Sequence, residues 1–188
     1  MGREVEKEAP KRKVPRKATR RYLENAAEYY LQRFATSTAN FRRVMMQKVR
    51  ASAHHHDTDP EEGAAVIEDL VKRFQRVGVL NDARYAELRA GSIHRRGGSK
   101  RSITAKLKEK GLAEGDIESA YEALKEDSEN PELEAATTFA KRRRLGAYRT
   151  APPKDKQHEK DLAAMARAGF SYDMAIKVLG RIEEEFTD

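Results

Sequence analysis

Residues 99–112 read Ser99-Lys100-Arg101-Ser102-Ile103-Thr104-Ala105-Lys106-Leu107-Lys108-Glu109-Lys110-Gly111-Leu112. A serine hydroxyl ahead of such a run caps a helix, and a glycine behind it supplies the left-handed residue on which helices stop. Between them Ile103 and Leu107 stand four apart and turn to one side, leaving Lys100, Arg101, Lys106, Lys108 and Lys110 largely in water. The closing motif recurs, because Ala168, Gly169, Phe170 repeats Lys110, Gly111, Leu112, and Met165 precedes its glycine as Leu107 does. A further amphipathic segment follows each, so one helical unit returns at a period of about sixty residues.

Outward from this stretch, caps and apolar spacing predict the other helices. Thr19 can cap a helix with Tyr22, Leu23, Ala26, Ala27, Tyr30 and Phe34 on one face, and Ser37 opens a second with Phe41, Val44 and Met45. After a polar loop containing His54, His55 and His56, the run Asp59, Pro60, Glu61, Glu62 offers an N-cap, a proline at the first helical position and acids in the first turn. Val66, Ile67, Leu70, Val71 and Phe74 follow, and Gly78 is placed to end that helix. Asn81 starts the next, with Tyr85, Ala86, Leu88 and Ile93 apolar, and Gly97 and Gly98 break it as a flexible joint. Ile117, Ala120, Tyr121 and Leu124 form another stripe. Asn130 and Pro131 open a helix through Leu133, Ala136, Phe139 and Ala140; Leu162 and Met165 mark a further one; Ser171 caps Ala175, Ile176, Leu179, Ile182 and Phe186. The expectation is an all-α fold, an elongated array of three tandem three-helix repeats over residues 19–80, 81–128 and 129–188, behind a basic, disordered arm at 1–18.

Composition agrees. In 188 residues, 38% apolar against 37% charged leaves little material for one thick core, and Ala, Glu, Lys and Arg dominate, as helices favour. The absence of Cys excludes disulfides, thiolate metal sites and thiol nucleophiles. No stretch approaches the roughly 20 apolar residues of a membrane span, and the mixed charges up to Arg21 do not make a signal peptide. A soluble, cytoplasmic monomer is expected.

The net charge of +7 is unevenly spread. Lys11, Arg12, Lys13, Arg16, Lys17, Arg20 and Arg21 crowd the N-terminal region. The candidate contacts for a polyanionic partner are Arg84, Arg89, Arg95, Arg96, Lys100, Arg101 and Lys106, and then Lys141, Arg142, Arg143, Arg144 and Arg149. Acids gather instead at 114–134 and 183–188, which predicts a basic side and an acidic side. Chemistry is thinly represented. His54, His55 and His56 project in different directions and cannot close a metal site alone. No Walker loop, dinucleotide fingerprint or nucleophile elbow occurs, and carboxylate pairs such as Glu61 with Glu62 fall on exposed positions. No active site and no cofactor are expected.

The run Gly78-Val79-Leu80-Asn81-Asp82-Ala83-Arg84-Tyr85-Ala86, then Arg95 to Gly98, Ile103, Leu107, Lys110-Gly111-Leu112, and Gly169-Phe170-Ser171-Tyr172-Asp173 closely resembles the RecX family of regulatory proteins. The resemblance spans residues 19–186, with departures in the basic arm, the His-rich stretch and the Pro152-Pro153 loop. It implies a non-enzymatic modulator that lies along the groove of the RecA recombinase filament on single-stranded DNA. Its implied effect is inhibition of ATP hydrolysis, strand exchange and coprotease activity, and hence regulation of homologous recombination, DNA repair and the SOS response. Weak, nonspecific binding to naked DNA goes with it. The competing reading is a basic helical protein that binds nucleic acid without a protein partner.

Overall fold

The computed structural model describes residues 14–180. Lys11, Arg12 and Lys13 of the basic arm, and Ile182 and Phe186 of the last apolar stripe, lie outside the described residues. Among the described residues the fold is all-α, with no strand: α1 (Arg20–Leu31), α2 (Thr38–His56), α3 (Pro60–Arg76), α4 (Asp82–His94), α5 (Lys100–Glu109), α6 (Glu114–Asp127), α7 (Pro131–Arg143), a 3₁₀ turn (Gly146–Tyr148), α8 (Gln157–Arg167) and α9 (Tyr172–Leu179). None of these helices is long and apolar enough to cross a membrane.

The caps account for most boundaries. Thr19, Asp59, Asn81, Ser99, Asn130 and Ser171 each accept a hydrogen bond from a first-turn amide of the helix they precede. Each satisfies a donor that the helix itself cannot.

The chain divides into two compact units. The first comprises residues 14–34 and 41–79 of the described chain; the second comprises 35–40 and everything from Leu80 onward. In the first, Leu23 and Ala27 of α1, Phe41, Met45 and Val49 of α2, and Ile67, Leu70, Val71 and Phe74 of α3 are buried together with almost no exposure. Phe41 meets Phe74 edge to face with ring centres 6.0 Å apart, a favoured aromatic geometry. The second unit holds two apolar clusters, one built on Ala86, Ala90, Ile93, Ile103, Leu107, Ile117 and Ala120, the other on Ala135, Ala136, Ala140, Met165, Phe170, Ala175 and Val178.

Three apolar residues depart from the expected core, and one loop is helical instead. Phe34 lies beyond the end of α1, where helical spacing no longer governs its direction, and is 54% exposed. Leu88 is 60% exposed because Ala86, Ala90 and Ile93 form the inward stripe of α4 and Leu88 projects away from it. Ile176 is partly exposed for the same reason, beside the buried Ala175, Val178 and Leu179. His54, His55 and His56 form the last turn of α2, not a loop, and the chain leaves the helix at Asp57, whose φ is 51°.

Within the second unit one joint is built twice. Ser99 accepts from the Ser102 amide at 3.2 Å while its hydroxyl donates to the Ala168 carbonyl at 2.6 Å. Beside it the Lys100 amide donates to Glu132 Oε2 at 2.9 Å. Ser37 likewise accepts from the Asn40 amide at 3.2 Å and donates to the Lys110 carbonyl at 2.5 Å, while the Thr38 amide donates to Asp82 Oδ1 at 2.7 Å. The glycines that close α5 and α8 make this approach possible. Gly111 and Gly169 adopt φ of 73° and 95°, and a Cβ on Gly169 would lie 2.6 Å from Ser99 Oγ.

Candidate functional site

The helices of the second unit enclose a groove of about 740 Å³. Its cations are Arg89 from α4, Arg96 just beyond that helix, Lys106 from α5, and Arg142 and Arg143 from the end of α7. No carboxylate is among the lining residues. None of these five cations joins a salt bridge within the described residues. In a cleft with walls of low polarizability, like charges focus the potential and attract anions.

The groove follows from local rules and one long-range contact. Arg89 and Arg96 are seven residues apart, two turns on one side of α4 and its continuation, while Ser102 and Lys106 are four apart on α5 and line the same wall. The contact is at Gly97. With φ of 80° it presses so closely on α7 that a Cβ there would lie 2.6 Å from the Phe139 amide nitrogen. Gly97 and Gly98 are therefore a packed crossing and not a flexible joint. Arg142 Nη1 donates to the Arg96 carbonyl, and His94 Nε2 is 2.7 Å from the Pro131 carbonyl, which ties α7 to the end of α4. Phe139 completes a wall, with its ring 5.7 Å from that of Phe170.

The other candidate cations go elsewhere. Lys100 and Arg101 face a second groove with Lys108, Tyr121 and Glu132. There the charges are mixed: Lys100 Nζ stands 4.8 Å from the Tyr121 ring centre, Tyr121 donates to Glu132, and Lys108 pairs with Glu114 at 3.1 Å. Burial, assisted by the Glu132 charge and hydrogen bond, pushes the Tyr121 hydroxyl up to about 12. The helix α5 thus divides its cations between two grooves, and the expected separation into a basic and an acidic side does not hold around Glu132. Arg84, Arg95 and Arg144 are exposed outside both grooves, Arg144 as the left-handed cap of α7. Lys141 lies 5.5 Å from the Tyr148 ring centre.

Arg149 belongs to the scaffold of the third cluster. Its guanidinium contacts both Asp161 oxygens at 2.6 and 2.7 Å, and that carboxylate also accepts from the Gly146 amide and the Gln157 side chain. Burial would raise the Asp161 pKa, but the hydrogen bonds from Arg149, Gly146 and Gln157 and the Arg149 charge outweigh it and hold the carboxyl below its ordinary value. Ser102, Phe139 and the Gly97 backbone were not legible as groove residues from charge. The four-residue spacing of Ser102 and Lys106 was the available signal. Among the described residues, no group of three or more His, Cys, Asp or Glu side chains is arranged to hold a metal ion.

Comparison with known proteins gives a consistent answer. The family model described as RecX, second three-helix domain, matches residues 81–120, which are α4, α5 and the start of α6. A Regulatory protein RecX of Myxococcus xanthus is 41% identical over 172 residues, covering 90% of this chain and 89% of that protein. Proteins of the same name from Agrobacterium fabrum and Streptomyces coelicolor are 35% and 32% identical, over 89% and 83% of this chain and 86% and 77% of their own lengths. No solved structure gives a significant match.

Proposed function

Because the chain belongs to the RecX family of regulatory proteins, we propose that it binds the RecA recombinase filament on single-stranded DNA and inhibits its ATPase, strand-exchange and coprotease activities. The observation that carries this reading is the groove lined by Arg89, Arg96, Lys106, Arg142 and Arg143, none of them in a salt bridge among the described residues, with no carboxylate in its lining. A filament coated on DNA offers phosphates and acidic protein surface, and such complementarity favours encounter and register. Repeats at 19–80, 81–128 and 129–188 are the framework that spans neighbouring recombinase subunits, and the Ser99–Ala168 bond between the last two supports it. The protein acts as a regulator without its own catalysis or cofactor, as a cytoplasmic monomer in DNA repair and the SOS response.

The direct test is ATP hydrolysis by RecA on single-stranded DNA with this protein added. Inhibition at stoichiometric amounts is the expected result. Unchanged hydrolysis, together with tight binding to naked DNA, would favour the stand-alone nucleic-acid binder.

A further inference from the structure

Three helices bring their cations to one half-open groove. We propose that the groove between α4, α5 and α7 is also a binding site for the phosphate chain of a free nucleotide, held by Arg89, Arg96, Lys106 and Arg143. Its volume of about 740 Å³ is that of a small-molecule site, which falls in the range of about 300–1,000 Å³.

Charge density points to the same ligand. A nucleic-acid strand carries one charge per nucleotide, so a short length of it brings few phosphates into one hollow. A di- or triphosphate concentrates several charges within a single nucleotide. The convergence of guanidinium and ammonium groups from separate walls suits that compact anion, because arginine forks bind phosphate oxygens in pairs and lysine adds a point charge. Ser102 adds a hydroxyl on the α5 wall, and the half-buried Phe139, with Arg143 Cζ 6.0 Å from its ring centre, adds an apolar surface.

The walls are also held in place before any ligand arrives. Gly97 packs against the α7 backbone, and Arg142, which lines the groove, is fixed by its bond to the Arg96 carbonyl. A preformed site spends less of its interaction energy on ordering. A nucleotide seated here occupies the same cations as a filament would, so the two ligands compete, and the filament prevails in the ATPase assay because it binds over a larger surface.

The test needs no recombinase, so its outcome is independent of the filament reading. The full chain is titrated with fluorescent trinitrophenyl-ATP and then challenged with ATP, inorganic tripolyphosphate, adenosine and a short oligothymidylate. ATP and tripolyphosphate displace the probe and adenosine does not. Lys106→Glu and Arg143→Glu each weaken ATP binding about tenfold or more, the loss of one charge-assisted contact, while Lys106→Arg retains it. Arg84→Glu, outside the groove, changes it less than about twofold, as screening predicts. Unaltered helical circular dichroism shows that the variants are folded. The proposal is overturned if tripolyphosphate fails to displace the probe, if Lys106→Glu binds ATP like the wild type, or if oligothymidylate binds and ATP does not compete.

Discussion

The Ser99 hydroxyl donates to the Ala168 carbonyl at 2.6 Å across 69 residues of sequence. Through this bond the C-terminal end of α8 abuts the N-terminal end of α5, so the two helix dipoles meet head to tail. Ser37 and Lys110 repeat the relationship at 2.5 Å. The serine therefore has two tasks, capping its own helix and receiving the end of another, and the glycine after the receiving carbonyl has none of the bulk that would hold them apart.

Gly169→Ala tests that account. The new methyl group would stand 2.6 Å from Ser99 Oγ on a backbone with φ of 95°, and the substitution should cost about 1–3 kcal/mol from backbone strain alone. Ser99→Ala removes one cap and one long-range bond and should cost about 1–3 kcal/mol. Differential scanning calorimetry would read both, and a Tm unchanged in either variant would contradict the joint.

Leu107 and Lys106 are neighbours with opposite expected behaviour. Leu107 has no exposed surface, and Leu107→Ala should destabilise the fold by about 2–5 kcal/mol through lost burial and the cavity left behind. Lys106 is exposed at the groove, and Lys106→Glu should change stability by less than about 0.5 kcal/mol. Urea titration followed by circular dichroism separates the two.

The Arg149–Asp161 pair predicts an acid dependence. The folded pKa of Asp161 lies below its ordinary value of 3.8, so the ionised carboxylate contributes stability at pH values above about 4. That contribution is lost as pH falls through the folded pKa. Asp161→Asn leaves Arg149 without its counter-ion and should cost about 1–3 kcal/mol near neutral pH. The variant should also show a shallower loss of Tm between pH 5 and pH 3 than wild type, on the order of the Asp161 contribution alone. An identical slope would remove Asp161 from the account.

Salt dependence tests the groove as a phosphate-binding surface. If single-stranded DNA engages about four cations of the chain, Lys106 of the groove among them, the logarithm of affinity should fall against the logarithm of salt with a slope of about −3. Lys106→Gln should reduce that slope by about 0.7, the share of one phosphate contact on a single strand. Fluorescence anisotropy with a labelled oligonucleotide measures it, and a slope insensitive to Lys106 would place the contacts elsewhere.

Local signals in the sequence carried most of the fold. Asp59 with Pro60, and Asn130 with Pro131, mark helix starts by chemistry that acts within one turn, and both are N-caps in the structure. What escaped was one helix end and the long-range contacts. Nothing between Ala51 and His56 stops a helix, so α2 runs through its histidines to Asp57, although their polarity suggested a loop. The fate of the cations depended on how α5 sits against α7, which the Gly97–Phe139 crossing sets. That crossing gathers Arg89, Arg96, Lys106, Arg142 and Arg143, while Lys100 and Arg101 turn to the groove that holds Glu132. Arg149 looked like a member of the Lys141 to Arg144 cluster because its partner, Asp161, lies 12 residues further on, beyond a proline loop and the first turn of α8.

The most direct test compares wild type with the Lys106→Glu, Arg143→Glu double variant in RecA-catalysed ATP hydrolysis on single-stranded DNA, at equal concentration and with matched thermal stability. The wild-type chain should suppress hydrolysis, and the double variant should lose that suppression while Lys100→Glu, Arg101→Glu retains most of it. Full suppression by the groove variant would contradict the assignment of these cations as the inhibitory surface.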